Sequence, residues 1–225
     1  IAWLMRPDLR IQKSVIFPGQ GSTGKTTFLS CLGAFMGDVN YESIPLHKME
    51  TNRFKTTHLM YKLVNICDDD PNEHLENSGV FKALTGNSWL DCEFKFGKSF
   101  KYRPYCRLVF SSNKLPVSKD ASDAFFRRWM VLHLTNSFAG TPMSGVESWV
   151  DKLGSPEELS GVLNRAIAEL SNLEKEGLGD SGSLRAGIGD MLRSTDPFLR
   201  WIRDRVDRHE PSRIHLKDDV FEDYC

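Results

Sequence analysis

The stretch that decides the fold is GQGSTGKT at positions 19–26, which matches the phosphate-binding loop pattern G-x-x-x-x-G-K-[ST] in full. Glycines let such a loop curl until its backbone N–H groups point at phosphate oxygens. Residues 14–17 predict a short apolar strand before the loop, and residues 27–35 carry apolar side chains at helical spacing after it. The motif therefore predicts that a nucleotide's phosphates lie at a helix N-terminus. The alternative is a chance match, which rarely falls between a strand and a helix.

The loop supplies candidate ligands for ATP and Mg²⁺. Lys25 would reach the outer phosphates, and the Thr26 hydroxyl would hold the metal ion. The residues predicted to bind the nucleotide are Gly19, Gln20, Gly21, Ser22, Thr23, Gly24, Lys25, Thr26 and Thr27.

The composition is that of an ordinary globular protein. A chain of 225 residues with 40% hydrophobic and 26% charged residues can form one α/β core and a smaller appendage. Its net charge of −1 carries no global signature of nucleic-acid binding, so any DNA contact must be local. The 5 cysteines form no CxxC pair, which predicts reduced thiols in a cytoplasmic protein. No apolar run approaches the roughly 18 residues of a membrane span, and no signal peptide is present. Because the chain starts at Ile1 without Met, we expect a fragment of a longer polypeptide.

A second apolar run, at 62–67, stops in Asp68, Asp69 and Asp70. A buried strand that delivers carboxylates at its C-terminal end is the second signature of a phosphate-loop ATPase, because Mg²⁺ and the attacking water lie at that edge of the sheet. The alternative is an acidic turn that merely ends a strand.

Further elements follow in alternation. The sequence predicts short helices at 54–60 and 81–86, the latter ended by a glycine cap, and a hairpin over 89–103 centred on Gly97. Strands are predicted at 107–110, ending in Ser111, Ser112 and Asn113, and at 130–134. Strands alternating with helices predict an α/β fold with a mostly parallel sheet and helices on both faces.

The C-terminal part differs in composition. Residues 156–173 predict an amphipathic helix whose apolar face carries Leu159, Leu163, Ile167 and Leu170. Residues 174–190 contain 5 glycines and predict a flexible connection. We therefore divide the chain into an ATPase core (1–145), a helical extension (146–175), a glycine-rich linker (176–194) and the truncated start of a small domain (195–225), which could be a winged helix.

Four features now stand in one order: a phosphate loop, a strand ending in acids, a basic hairpin, and a strand ending in Asn before paired arginines. The chain resembles superfamily 3 helicases, specifically the primase–helicase ATPase module of phages, large DNA viruses and mobile elements. The resemblance covers roughly residues 10–170 and rests on FKALTGNS (81–88), KFGKSFKY (95–102), LVFSSNKLP (108–116) and FFRRW (125–129). It implies an AAA+-like P-loop NTPase fold with a small helical C-terminal segment.

The resemblance also implies roles for the acids and for Asn113. Asp68 and Asp69 occupy the place of the family's acidic pair, one orienting the water shell of Mg²⁺ and the other polarising the attacking water. Asp69 matches the main acid, where many relatives carry Glu. Asn113 matches the polar residue beside the γ-phosphate, although its sequence also suits an Asx turn.

Arg127 and Arg128 match the family's arginine finger region. A finger reaches the neighbouring subunit's active site, so this role implies a ring, probably a hexamer, and we favour Arg127 for it. The alternative is a pair of surface arginines or an ordinary ion pair.

The hairpin at 93–102 is the predicted DNA contact. Lys95, Lys98 and Lys101 recur every three residues and would attract phosphates, while the aromatic residues between them could stack on bases. The alternative is that the aromatics form the hairpin's core and the lysines keep an edge strand soluble.

Together these features predict an ATP-driven replicative DNA helicase that pulls single-stranded DNA through a ring. A primase domain or replication proteins are further partners implied by the family. One alternative is a ring ATPase that loads or remodels replication proteins without unwinding. Another is a small-molecule kinase, for which the hairpin, Asn113 and the arginine pair have no evident use.

Overall fold

A five-stranded parallel sheet in the order β2-β3-β6-β1-β7 forms the centre of the molecule, and a separate antiparallel pair, β4-β5, projects beside it. The computed structural model describes residues 1–71, 75–120, 122–144, 146–179 and 182–195. The strands are β1 (Ser14–Pro18), β2 (Tyr41–Glu42), β3 (Val64–Cys67), β4 (Leu90–Glu93), β5 (Ser99–Tyr102), β6 (Arg107–Ser112) and β7 (Trp129–Val131).

Helices flank the sheet. They are α1 (Lys25–Met36), α2 (Leu46–Thr51), α3 (Gly79–Thr85), α4 (Asp123–Phe126), α5 (Val146–Leu153), α6 (Pro156–Glu176) and α7 (Gly182–Thr195). Short 3₁₀ turns cover Ala2–Met5 and Lys55–Leu59. The predicted α/β fold with a mostly parallel sheet is confirmed, since each pairing within the five-stranded sheet is parallel.

Two hydrophobic cores cover the two faces of the sheet. Because successive strand side chains point to opposite faces, Val15 and Phe17 of β1 lie in one core and Ile16 lies in the other. The first core joins the sheet to α1 and to the end of α6. The second joins it to α2, α3, α4 and α7. Burial on both faces explains why these strands are continuous apolar runs in the sequence.

Most predicted elements occur, with small differences in extent. The predicted helix at 81–86 is α3, which is closed by Gly86 at its C-cap, where the Gly86 N–H donates to the Ala83 carbonyl at 3.3 Å. The last strand begins and ends earlier than the predicted 130–134. Its first residue, Trp129, is fully buried and stacks on Phe81 with ring centroids 4.6 Å apart, which explains the earlier start.

The amphipathic helix is α6, but its predicted apolar face is only partly buried. Leu163 and Ile167 are exposed, whereas Ala166 and Leu173 are buried. The helix therefore packs on the 3₁₀ turn at Ala2–Met5 and on the sheet through its C-terminal half, and part of the predicted stripe faces solvent.

The predicted flexible connection at 174–190 is wrong over most of its described length. Residues Gly182–Thr195 form α7, which packs on β7. A Cβ added at Gly187 would lie 2.7 Å from the Cβ of Val131, so this glycine permits close contact between helix and strand. Met191, one turn later, is fully buried. Tertiary packing here outweighs the low helix propensity of glycine.

The predicted C-terminal domain at 195–225 lies outside the described residues apart from Thr195. Among the described helices, none is long and apolar enough to cross a bilayer.

Candidate functional site

The phosphate-loop motif lies at the carboxyl end of β1, directly before α1. The Gly19 N–H donates to the Ser112 carbonyl at 3.1 Å and so fixes the start of the loop beside β6. Gly24, at φ 83°, takes the left-handed conformation that glycine adopts without steric cost, and it stands at the N-cap of α1. Because the first N–H groups of a helix have no partner within it, the start of α1 offers donors suited to phosphate oxygens.

Lys25 does not extend from the loop in this structure. Its Nζ donates to the carbonyls of Gly19 and Gln20 at 2.5 and 2.7 Å, and the residue is buried. The Thr23 hydroxyl also donates to the Gln20 carbonyl, at 3.1 Å. The loop therefore satisfies its own lysine, and a bound phosphate would have to replace these two carbonyls as the partner of Nζ.

The predicted acids and Asn113 meet at the ends of two neighbouring strands. Asn113, after β6, donates from Nδ2 to Asp69 Oδ1 at 3.3 Å. The Asp69 N–H donates to Ser111 Oγ at 2.9 Å, and the Ser111 hydroxyl donates to Asp68 Oδ1. Asp68 and Asp69 are exposed, and Asp69 has a left-handed backbone with φ 48°. The turn after Asn113 is held by Ser112 instead, whose Oγ accepts from the Lys114 N–H at 3.3 Å.

Asp70 has a different environment from the two acids before it. It is buried, and its Oδ1 accepts from the Leu46 N–H at 2.7 Å, which ties the start of α2 to the end of β3. Burial, and then Asp70, raise the pKa of Cys67 to about 12, so this thiol stays protonated and is no nucleophile at neutral pH. Asp70 is thus a structural acid, and the two exposed carboxylates are the ones available to a ligand.

The sheet order sets the spacing between the loop and the acids. β6 lies between β1 and β3, so the two strand ends are separated by two strand spacings, about 10 Å. Within the described ranges, no group of three or more His, Cys, Asp or Glu side chains could hold a metal ion. The oxygen donors at Asp68, Asp69 and the exposed Thr26 nevertheless suit Mg²⁺, which uses one or two carboxylates and completes its shell with water and phosphate.

The two predicted finger arginines have opposite surroundings. Arg128 is buried and donates to the Ala124 carbonyl, and burial followed by the charge of Arg127 lowers its pKa. Arg127 is exposed, and its side chain has no hydrogen bond or ion pair to any residue that the structure describes.

Arg127 is also far from the phosphate loop of its own chain. Trp129 pairs with Ser14 at the amino end of β1, and the loop starts five residues further along the strand, at Gly19. At about 3.3 Å per residue this is about 16 Å, more than an arginine side chain spans. The structure therefore brings Asp68, Asp69 and Asn113 to the loop's edge of the sheet and leaves both arginines at the opposite edge.

The predicted hairpin is β4-β5, with Leu90 opposite Tyr102 and Glu93 opposite Ser99. Lys95 and Lys98 are exposed on the connecting turn. Lys101 is also exposed, but its Nζ lies 3.7 Å from Asp91 Oδ1 on the opposite strand. Two of the three predicted lysines are therefore at the tip, and the third is partly neutralised.

The hairpin's aromatic residues divide into anchors and tip. The Tyr102 hydroxyl donates to the Thr56 carbonyl at 2.7 Å, and Phe100 packs against the hydrophobic core. Phe94 stacks on Phe100 with centroids 5.0 Å apart. Phe96 is 95% exposed, and its φ of 66° is unusual for a bulky residue. Phe100 and Tyr102 therefore anchor the hairpin to the body of the protein, as the alternative interpretation of the aromatic residues predicted. Phe96 is the aromatic ring at the tip that is exposed to a binding partner.

Sequence reasoning missed two residues of this site. Ser111 is fully buried and links Asp68 to Asp69. Phe138, in the loop after β7, donates its N–H to the Ser22 carbonyl at 2.8 Å. Neither residue stands in the phosphate-loop motif. The parallel pairing of β3 with β6 brings Ser111 to the site, and the return of the chain after β7 brings Phe138 to it.

Comparison with known proteins gives one family match. Residues 17–128 match the sequence model of DUF5906, a family of unknown function. That range contains every predicted site residue, from the phosphate loop to Arg128. No curated protein matches this chain significantly.

Solved structures similar to this chain include two of the C-terminal region of NrS-1, with TM-scores of 0.55 and 0.54 and 17% sequence identity. The match covers 98% of this chain and 55% and 54% of those chains, so this chain spans about half their length. At this identity the likeness shows a shared fold alone. A structure of JCV helicase with a bound thiazolopyridinyl-phenoxyphenyl acetamide has a TM-score of 0.42 and 15% identity over 79% of this chain and 56% of that one, too weak a likeness to carry an argument.

Proposed function

We propose that this chain is the ATPase core of a ring-forming DNA helicase that moves single-stranded DNA during replication of a phage, virus or mobile element. The observation that carries the proposal is the contact between Asn113 and Asp69 at 3.3 Å, joined through Ser111 to Asp68. Four polar residues from the ends of two strands thus converge at the edge of the sheet where the phosphate loop emerges. This is the arrangement that ATP hydrolysis requires.

The residues at this edge then have distinct roles. Thr26 and the two exposed acids would hold Mg²⁺, which, when bound, neutralises charge that develops on the phosphates. Asp69 would accept a proton from the attacking water or orient it, and Asn113 would fix the position of that water. Ser111 would keep Asp68 in place through its hydroxyl.

Lys25 would change partners on binding a nucleotide. Its Nζ binds the Gly19 and Gln20 carbonyls in this structure and would turn to the outer phosphates of a bound nucleotide. The lysine would exchange two neutral acceptors for a charged one, and hydrogen bonds to charged groups are the stronger kind.

The position of Arg127 supports a ring. Its exposed guanidinium lies too far from its own loop to act there, so a role as arginine finger requires the loop of a neighbouring subunit. The free side chain of Arg127 and the buried one of Arg128 support Arg127 as the finger.

The hairpin would grip the DNA strand. Lys95 and Lys98 at its tip would bind phosphates without regard to sequence, and the exposed ring of Phe96 would stack on a base. Phe100 and Tyr102 would transmit movement between the core and the tip, because both pack against the body of the protein.

The experiment that tests the proposal is ATP hydrolysis with and without single-stranded DNA, across a salt series. We expect DNA to stimulate hydrolysis and the stimulation to fade as salt rises, since phosphate contacts release counterions. Lys25→Ala should abolish hydrolysis, by about 10³-fold or more, because it removes the charge that the phosphates contact. Lys175→Ala, at an exposed position in the last turn of α6, is the matched control and should hydrolyse normally.

Two results would count against the proposal. Full activity in Lys25→Ala protein would mean that the phosphate loop takes no part in ATP hydrolysis. Hydrolysis that ignores DNA at every salt concentration would favour the alternative, a ring ATPase that loads or remodels replication proteins.

A further inference from the structure

The order of strands gives the bound nucleotide a direction. Along the carboxyl edge of the sheet, the acids follow β3, Asn113 follows β6, the phosphate loop follows β1, and the chain leaves β7 on the far side. If the acids and Asn113 mark the terminal phosphate, the nucleoside must leave the loop on the side of β7. The ends of β3 and β7 are three strand spacings apart, about 14 Å, which is enough for a triphosphate between them.

Phe138 is the aromatic residue on that side of the loop. A Cβ added at Gly24 would lie 3.5 Å from Cε2 of the Phe138 ring, so the ring covers the glycine at the start of α1. The ring is half-buried and therefore still accessible from one side.

The loop that carries Phe138 is tied at both ends of the residue. Its N–H donates to the Ser22 carbonyl at 2.8 Å, and its carbonyl accepts from the Thr141 N–H and hydroxyl at 3.1 and 2.8 Å. Because the backbone of Phe138 is already held in place, a ligand that packs on its ring pays little entropy for ordering this loop.

We propose that Phe138 is the stacking platform for the base of the bound nucleotide. The inference rests on the proposed function, because it assumes that the phosphate loop binds a nucleoside triphosphate. Every base has a π-face, so the platform gives affinity for the nucleoside without choosing strongly among bases.

The test compares a ligand that has a base with one that lacks it. The affinities of ATP and inorganic tripolyphosphate, both with Mg²⁺, would be measured by calorimetry for the wild type, Phe138→Leu and Phe138→Trp. Leucine keeps the apolar contact with Gly24 but removes the aromatic face. We expect Phe138→Leu to weaken ATP binding about 5-fold or more and to leave tripolyphosphate unchanged, while Phe138→Trp binds ATP at least as well as the wild type.

Tyr61→Leu is the control variant. This tyrosine is exposed and precedes β3, at the opposite edge of the sheet, so both affinities should stay at the wild-type level. Thermal unfolding without ligand establishes that each variant is folded.

The outcomes separate the inference from its premise. If Phe138→Leu lowers the affinities for ATP and tripolyphosphate equally, the ring only supports the phosphate loop. If it lowers neither affinity, Phe138 is not part of the nucleotide site. Both results overturn the inference and leave the proposed function standing. A folded wild type that binds neither ligand would overturn the two together.

Discussion

Asp69 and Lys98 are both exposed residues on turns beside β-strands, yet the molecule holds them in different ways. The Asp69 N–H donates to Ser111 at 2.9 Å, and its carboxylate accepts from Asn113 at 3.3 Å. Lys98, on the turn between β4 and β5, has no hydrogen bond or ion pair to any residue that the structure describes. Neighbouring protein groups hold Asp69 in position, whereas none holds the Lys98 side chain among the described residues.

The difference matches what each region is proposed to do. Hydrolysis needs its groups in place to within a fraction of an ångström, and a buried parallel sheet supplies that rigidity. A grip on DNA of any sequence needs charge and reach more than exact position. We therefore expect large, all-or-none effects from changes at the carboxyl edge of the sheet and graded effects from changes in the hairpin.

The largest expected effect tests whether the residues at the carboxyl ends of the strands suffice for ATP hydrolysis without an arginine from a neighbouring subunit. Arg127→Ala should lower ATP hydrolysis by about 10³-fold and leave ATP affinity unchanged, because the finger acts only on the transition state. Mixing Arg127→Ala subunits with Lys25→Ala subunits should restore part of the activity, since mixed interfaces then contain one intact loop and one intact finger.

Two results would contradict the trans arrangement. The first is the absence of any recovery on mixing, although the two variants assemble together. The second is an Arg127→Ala protein that has lost ATP binding.

The next effect separates two neighbouring acids within the same edge. Asp69→Asn should reduce hydrolysis by about 10²-fold with unchanged thermal stability, because asparagine tolerates the left-handed backbone at this position. Asp70→Ala should instead lower the free energy of unfolding by about 1–3 kcal/mol, since it leaves the buried Leu46 N–H without its acceptor. Chemical denaturation and ATPase assays on both variants check these two predictions. An Asp69→Asn enzyme with normal turnover would refute the assignment of a catalytic role to Asp69 and a structural role to Asp70.

A smaller effect is expected in the hairpin. Lys98→Ala should weaken single-stranded DNA binding several-fold and reduce the slope of log affinity against log salt by about 0.7. Lys101→Ala is the comparison variant and should have less effect, because Asp91 already lies 3.7 Å from its Nζ. Fluorescence anisotropy over a salt series measures both slopes. Equal slopes would mean that Lys98 on the turn contributes no more to DNA binding than Lys101 on β5.

The smallest effect concerns the segment that joins the two regions. Asp120, in the chain after Asn113, accepts from Ser78 and pairs with Lys82 of α3 at 2.9 Å, and α3 leads into β4. Burial alone would raise the pKa of this carboxyl, but hydrogen bonds from Ser122, Ser78 and Lys82 outweigh it and hold the pKa well below its usual range.

The lowered pKa fixes the direction of the pH dependence. The ionised carboxylate stabilises the fold above the pKa of an unfolded Asp, about 3.9, and this contribution is lost as the pH falls toward the lowered value. Asp120→Asn should therefore lower the free energy of unfolding by about 1 kcal/mol at pH 7. Urea denaturation from pH 7 downward should show this difference shrinking below about pH 4, and a constant difference at every pH would contradict the assignment.

Local sequence was enough for the features whose physics is local. The phosphate loop, four of the five strands of the sheet and the hairpin were predictable because glycine spacing, apolar runs and alternation act over a few residues, whereas the two-residue strand β2 was not predicted. Asn113 lies near the acids because β3 and β6 are parallel neighbours and their carboxyl ends meet at one edge, whereas before the structure only the family resemblance placed Asn113 beside the γ-phosphate.

The residues alone gave no physical reason to separate Asp70 from the two acids before it or Arg128 from Arg127; only the resemblance to superfamily 3 helicases favoured Asp69 and Arg127. Burial decides both cases. Asp70 faces the Leu46 N–H, and Arg128 turns into the protein while Arg127 stays outside. Adjacent residues can differ in this way only because distant segments, α2 and α3, pack beside them.

The helix α7 and the position of Phe138 depended on tertiary structure entirely. Glycines at 182–189 argue for a flexible chain by propensity, yet Gly187 permits contact with Val131 that a larger residue would prevent. Phe138 is far from the phosphate loop in the sequence, and its place beside Ser22 follows from β7 pairing with β1. Sequence thus determined which local structures form and which chemistry they carry, because those depend on neighbouring residues. The tertiary structure decided which side chains reach the site, because burial and strand order depend on contacts between segments far apart in the chain.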